Sequence, residues 1–310
     1  MAFNAASRPA QVQPIAMPDM PAAARRYASV FRPGLFEGQR IWVTGGGSGI
    51  GRCVAHELAS LGATVVISGR TQAKLDTVVA EIAADGGRCH SIAFDIRDED
   101  AVKAGVASVI AQHGPVAGLV NNAGGQFPAP LMAISKKGFD AVVANNLTGG
   151  FLMMRELFNQ CMQEHGGAMV NMTADFRNGM PGMGHSGAAR AGMSNLTATA
   201  AFEWAHAGVR VNAVAPGWIA SSGMDSYGGA MKAIIPKLKA HVPLRRLGVE
   251  AEVSAAIVFL LSPAASFITG VTLQIDGAAS LGSGIFPLGP DSKSLPFDGF
   301  HRTVTPEVLK

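Results

Sequence analysis

RIWVTGGGSGIG, residues 40–51, is the stretch on which the fold turns. Arg40 to Thr44 is a short β-rich run that breaks at once into glycines, and a helical stretch from Gly49 to Ser60 follows. Glycines between a strand and a helix permit a sharp turn and let backbone N–H groups approach a pyrophosphate at the helix N-terminus. Any tight strand-to-helix turn needs glycine, so the run alone says little. Placed at the first turn of a strand–helix–strand unit, it reads as a dinucleotide site.

Outward from that turn the same rhythm repeats. Ala63 to Ser68 (ATVVIS) is a second buried strand, and Gln72 to Ala84 has helical spacing. Cys89 to Phe94 reads as a third strand, and helical Asp98 to Gln112 leads to a fourth at Gly118 to Val120. A long helix around Gly138 to His165 precedes a strand at Ala168 to Met172. A helix from Gly184 to about His206 precedes the strand Val209 to Val214. Glu250 to Leu261 is helical, and Val271 to Ile275 closes the series as a strand. Buried strands alternating with helices predict an α/β fold, a single Rossmann-type doubly wound domain whose mostly parallel sheet is covered on both faces. No linker interrupts the rhythm before about Gly277. The expected organisation is an N-terminal arm over 1–34, a domain over 35–280 and a C-terminal tail over 281–310. Prolines at 9, 14, 18 and 21 break any amphipathic transit helix in the arm. The tail, rich in Gly, Pro and Ser, is expected to drape over the domain or a partner subunit.

Composition narrows the function classes. A chain of 310 residues with 48% hydrophobic and 15% charged residues can bury a large core. A net charge of +3 without any Lys/Arg run argues against nucleic-acid binding. Cys53, Cys89 and Cys161 have the spacing of neither a disulfide framework nor a zinc knuckle, so they read as reduced thiols of a cytoplasmic protein with no metal site. No uninterrupted apolar run is long enough to span a bilayer.

The residues after the second strand bear on the cofactor. An NAD-specific site usually places an acid there for the ribose 2′-hydroxyl, whereas an Arg accommodates the 2′-phosphate of NADP. Here the chain reads Ser68-Gly69-Arg70, with Lys74 one turn later and no acid before Asp76. NADP is therefore the expected cofactor.

Taken together, these motifs resemble the short-chain dehydrogenase/reductase family. The resemblance rests on Thr44-Gly45, Gly49 and Gly51, on Asp95 after the third strand, and on Asn121-Asn122-Ala123-Gly124. Asn146 in the long helix and Val211-Asn-Ala-Val-Ala-Pro-Gly217 extend it, and it spans Leu35 to Ser280. It implies a seven-stranded parallel sheet, a nicotinamide cofactor and a homotetramer. It also implies that Thr44, Gly45, Ser48, Gly49, Ile50 and Gly51 hold the pyrophosphate, and Arg70 with Lys74 the 2′-phosphate. Asp95 and Ile96 would contact adenine, Asn122, Ala123 and Gly124 the ribose, and Pro216, Gly217 and Ile219 the nicotinamide.

The departure from the family is in the catalytic helix. The family carries a Ser after the fifth strand and a Tyr-x-x-x-Lys pair on the next helix. Alignment on Asn195-Leu196-Thr197 puts Ser186 at the Tyr position and Arg190 at the Lys position, with the Ser position on Thr173 or Ala174. The only tyrosines, Tyr27 and Tyr227, lie outside this segment. Reducing a ketone needs an acid beside the nascent alkoxide, and a Ser hydroxyl is a poor one. Reducing an α,β-unsaturated thioester instead needs donors aimed at the thioester oxygen, where the charge spreads. The stretch His185-Ser-Gly-Ala-Ala-Arg-Ala-Gly192 resembles the peroxisomal-type trans-2-enoyl-CoA reductases and the related 2,4-dienoyl-CoA reductases. Asn122-Ala-Gly-Gly-Gln-Phe127 and Leu261 to Gly270 support the same placement.

That resemblance implies NADPH-dependent reduction of the 2,3 double bond of an enoyl- or dienoyl-CoA. Arg190 would hold the nicotinamide ribose, and Asn146, Ser186 and Thr173 would donate to substrate or water. Asp175 and His185 are candidate proton sources, each equally explained as a loop residue bonded to backbone. An acyl-CoA substrate suits the segment before Glu250, where Lys232, Lys237, Lys239, Arg245 and Arg246 could hold phosphates. Met224, Met231, Ile234, Ile235 and Leu238 could line an acyl channel. Two alternatives stay open: an alcohol/aldehyde dehydrogenase of citronellol/citronellal type, and an NADP-binding sensor or scaffold. Gly184-His-Ser-Gly-Ala188 nearly spells a hydrolase elbow but lacks the strand that must precede its Ser.

Overall fold

A computed structural model describes residues 26–281 and 288–310. Most of the expected N-terminal arm and the first part of the tail thus lie outside the described residues. Seven parallel strands form the central sheet: β1 (Arg40–Thr44), β2 (Thr64–Gly69), β3 (Arg88–Ala93), β4 (Gly118–Asn121), β5 (Gly167–Met172), β6 (Val209–Pro216) and, after two short strands, β9 (Thr272–Ile275). Their order is β3-β2-β1-β4-β5-β6-β9. The two short strands, β7 (Ile219–Ala220) and β8 (Gly248–Val249), pair with each other outside the sheet.

The inner strands are apolar along nearly their whole length because both faces are covered. Within β1 the period of two still sorts the side chains. Ile41 and Val43 pack with Val54, Leu58 and Ile257 on one face, and Trp42 packs with Val102, Val106 and Leu119 on the other. β3 and β9, at the sheet edges, lose that continuity. Helices α1 (Gly49–Ser60), α2 (Gln72–Ala84) and α3 (Glu99–His113) follow the first three strands. The expected long helix runs as α4 (Lys136–Val143), α5 (Gly149–Leu157) and α6 (Gln163–His165), separated by π-helical turns at Ala144–Thr148 and Phe158–Met162. α7 (Gly184–Glu203), a short α8 (Gly229–Ile234) and α9 (Glu250–Leu261) complete the set. Among the described residues, no helix is long and apolar enough to cross a membrane.

Strand order reverses between β1 and β4, which opens a crevice at their carboxyl ends. Thr44 pins that edge together. Its hydroxyl oxygen accepts the N–H groups of Asn122 (3.0 Å) and Ala123 (2.9 Å), while the Asn122 amide donates to the Thr44 carbonyl (2.9 Å).

The tail folds back on its own domain. Phe300 packs against Tyr27 and Cys53, and Arg302 forms a two-pronged pair with Asp85. Val308 and Leu309 then cover Ile235 and Leu238. This covering revises the acyl-channel expectation: Ile235 and Leu238 belong to a small core, Ile234 is exposed, and only Met224 of the five apolar residues lines the cleft. The cationic segment is revised likewise. Arg246 pairs with Glu252 and the Leu295 carbonyl, and Arg245 donates to the carbonyls of Ala240 and Gly289, whereas Lys232, Lys237 and Lys239 remain exposed.

Candidate active site

A single cleft of about 520 Å³ runs over the crevice, from the glycine turn after β1 to the loop after β7. At one end α1 starts at Ser48 with no side-chain cap and no acid in its first turn, so its leading N–H groups are free for an anion. The turn leaves no room for side chains. A Cβ on Gly45, where φ is +67°, would stand 2.9 Å from the Ala123 Cα, and one on Gly51 would stand 2.4 Å from the Gly45 carbonyl. Ser48, Gly49 and Ile50 line the cleft beside them; Thr44, fully buried, acts only as the tie beneath.

Around the glycine turn, α2 also begins without a side-chain cap, and exposed Arg70 and Lys74 flank its first turn. Two cations beside free backbone donors suit a phosphate ester. Asp95 and Ile96 form the opposite wall. Arg97 grips the Asp95 carboxylate and, as the largest influence, holds it below the usual carboxylate range. Asn122, Ala123 and Gly124 form the floor, and Pro216, Gly217 and Ile219 the far wall. A crevice with anion donors at one end, a cationic corner and an apolar wall has the chemistry to hold a dinucleotide.

The catalytic helix presents one buried stripe. Ser186, Arg190, Met193 and Thr197 recur three or four residues apart, so they share a face of α7. Arg190 reaches the cleft, donating from Nη1 to the Met172 carbonyl (2.6 Å) while its buried Nε has no partner. Burial pushes the guanidinium down to about 10. Gly124 lies against it: a Cβ there would meet Arg190 Nη2 at 2.7 Å and Asn146 Oδ1 at 2.8 Å.

Three expected substrate donors are turned to other work. Asn146, buried in the first π-helical turn, clamps Gly125, accepting from its N–H and donating to its carbonyl, both at 2.9 Å. The Thr173 hydroxyl lines the cleft but donates to the Val214 carbonyl (2.8 Å). Ser186 is fully buried and donates to Gln126 Oε1 (2.5 Å). The hydrolase motif fails as well, since β5 ends at Met172 and Ser186 sits in the first turn of a helix. His185 is also fully buried. Its Nδ1 accepts the Ser186 N–H (2.9 Å), and its Nε2 has no partner among the described residues. Asp175 is half-buried outside the cleft lining; burial first, then Asp276, pushes its carboxyl up.

Sequence reasoning missed Gln126 and Tyr227. Both are half-buried and line the cleft, and the Gln126 amide donates from Nε2 to the Tyr227 hydroxyl (3.1 Å). The scarcity of tyrosine was the available signal, but nothing local connects Tyr227 with the catalytic helix.

Comparison with known proteins finds relatives that share the reaction class of oxidoreductases and differ in substrate. A family model described as enoyl-(acyl carrier protein) reductase matches residues 45–280. A peroxisomal 2,4-dienoyl-CoA reductase of Pongo abelii is 35% identical over 258 residues, which cover 82% of this chain and 88% of that protein. A 3-oxoacyl-[acyl-carrier-protein] reductase of Staphylococcus aureus is 35% identical over 237 residues, covering 76% of this chain and 95% of the other. Among solved structures, a citronellol catabolism dehydrogenase of Pseudomonas aeruginosa PAO1 is 60% identical with a TM-score of 0.75, covering 82% of this chain and all of that one.

Proposed function

Because this chain belongs to the short-chain dehydrogenase/reductase family of nicotinamide-dependent oxidoreductases, we propose that it uses NADPH to reduce the 2,3 double bond of a conjugated acyl-CoA thioester. The observation that carries the reading is the replacement of the family's helix Tyr by Ser186, buried and bonded to Gln126. With Ser186 in place of that phenol, α7 offers an alkoxide no acid of the family's usual kind, whereas a conjugated thioester spreads the charge onto a carbonyl oxygen that hydrogen-bond donors can stabilise. The likeness to the dienoyl-CoA reductase supports the thioester class. Arg70 and Lys74 beside the uncapped start of α2 support NADPH over NADH.

Bound NADPH would supply the hydride to the β-carbon. In this reading the first turn of α1 holds the pyrophosphate, and Asp95 and Ile96 border the adenine. Arg190 turns its free donors to the nicotinamide ribose, and Gly124 keeps the space between them clear. Pro216, Gly217 and Ile219 shield the nicotinamide face from water. Exposed Lys232, Lys237 and Lys239 remain available for the CoA phosphates. Exposed Phe202, Phe267 and Leu273, on and near the β9 edge, support a homotetramer. The three cysteines are free thiols, which suits a reducing compartment such as the cytoplasm.

The 60% identity to the citronellol catabolism dehydrogenase favours a second reading, oxidation of a branched terpenoid alcohol or reduction of its aldehyde. A panel of trans-2-enoyl-CoA, 2,4-dienoyl-CoA, ketones and terpenoid aldehydes, followed by NADPH oxidation, separates the two. The thioester reading expects the highest kcat/KM on a CoA thioester, with loss of turnover on its N-acetylcysteamine analogue. Faster turnover of a terpenoid aldehyde would replace it with the second reading. Tight NADPH binding without turnover of any substrate would leave a sensor or scaffold.

A further inference from the structure

Building on the reading of NADPH-dependent reduction, we propose that the Tyr227 hydroxyl is the hydrogen-bond donor to the substrate oxygen on which negative charge develops, positioned by Ser186 through Gln126. The direction of the chain of hydrogen bonds carries the argument. Ser186 donates to Gln126 Oε1 at 2.5 Å, which leaves the Gln126 amide nitrogen to donate to Tyr227 Oη at 3.1 Å. Tyr227 thus accepts, and among the described residues its own proton has no acceptor. The hydroxyls at the two family positions have no such freedom, since Thr173 donates to Val214 and Ser186 to Gln126. Tyr227 faces the same cleft as Thr173, Arg190 and Gly217.

Arg190 supplies the other half of the device. Its guanidinium lines the same cleft as the phenol, with the buried Nε left without a partner. A phenol next to a cation is the pairing the family draws from one helix. Here the phenol comes from the loop before α8 and the cation from α7, and Gln126 of the loop after β4 ties the phenol to Ser186, one turn before Arg190 on that helix.

For an enoyl thioester the electron balance is simple. Hydride adds to the β-carbon, the alkene pair shifts between the α-carbon and the carbonyl carbon, and the carbonyl pair moves onto oxygen. Tyr227 donates a hydrogen bond to that oxygen and keeps its proton. When the enolate collapses, the α-carbon takes a proton from water. One NADPH and one proton are consumed for each saturated thioester.

The test uses the 310-residue chain and whichever panel substrate turns over fastest, so it runs unchanged if the thioester reading fails. Tyr227→Phe should lower kcat by about 10²- to 10³-fold, the effect of deleting one oxyanion donor, and leave the Kd for NADPH unaltered. Ser186→Ala, acting only through Gln126, should cost roughly tenfold or less in kcat. A second readout is independent of turnover. The chain has two tyrosines, so 3-fluorotyrosine labelling gives two fluorine resonances. Adding NADP⁺ with the reduced product should shift the one that is absent in Tyr227→Phe. If Tyr227→Phe keeps kcat within about threefold of the parent, or Ser186→Ala loses as much as Tyr227→Phe, the proposal is overturned. A Tyr227 resonance that does not respond to the ternary complex overturns it equally.

Discussion

Replacing Arg190 by Met separates the demands of folding from those of cofactor binding, because the two pull in opposite directions at this residue. In the free protein the guanidinium is 8% exposed and has one hydrogen bond, to the Met172 carbonyl. That charge-assisted bond contributes about 1.5–3 kcal/mol. Burial opposes it: the fall from the ordinary 12.5 to about 10 corresponds to an electrostatic cost of about 3 kcal/mol. The two nearly cancel, so Arg190→Met should leave the midpoint of urea unfolding unchanged or raise it slightly. With the dinucleotide bound the sign changes, since the partnerless Nε and the Nη2 beside Gly124 gain acceptors on the ribose. Losing those bonds should weaken NADPH by about 1.5–3 kcal/mol, a roughly ten- to hundred-fold rise in Kd. Arg190→Lys should recover much of that affinity. The assay is fluorescence titration of NADPH on all three proteins, paired with urea unfolding without ligand. A variant that loses several kcal/mol of stability while binding NADPH as tightly as the parent would refute the reasoning and make Arg190 a structural strut.

Two further outcomes concern Arg70, which lines the cleft, and Glu250, buried behind the glycine turn. Arg70→Ala should raise the apparent KM for NADPH by about tenfold or more and leave that for NADH nearly unchanged; equal losses with both cofactors would make Arg70 structural. Glu250 is buried at the start of α9, its Oε1 3.9 Å from where a Cβ on Gly49 would stand, and burial raises it from the ordinary 4.5 to about 7. The folded chain therefore keeps a proton that the unfolded chain releases, so this residue costs stability progressively as pH rises from 4.5 to 7. Glu250→Gln should be near neutral at pH 4 and stabilising by up to about 3 kcal/mol at pH 8, read from urea midpoints at both pH values. A variant equally stable relative to the parent at both would show that the carboxyl does not titrate in this window.

The sequence by itself determined the sheet and its crevice, because those depend on local signals. Apolar runs such as TVVISG must be covered on both faces, and RIWVT followed by glycines can only turn sharply into a helix. Strand and helix bounds read from the chain lie within a few residues of those in the structure, and all but one of the expected cofactor residues line the cleft. Thr44 is the exception. Its side chain points beneath the turn to the β4 loop, a direction that spacing does not encode. The catalytic end depended on tertiary structure throughout. Position in a motif placed Asn146, Ser186 and Thr173 in or beside the cleft, but hydrogen-bond partners distant in sequence decide which hydroxyl has a free proton. The segment between β7 and α9 was harder still to read, since the fates of Arg245, Arg246, Ile235 and Leu238 depend on a tail that follows them in the chain. Tyr227 shows the physical reason most directly. A side chain's role is set by its neighbours in space, and only the folding of the loop before α8 against Gln126 brings that phenol to the cleft.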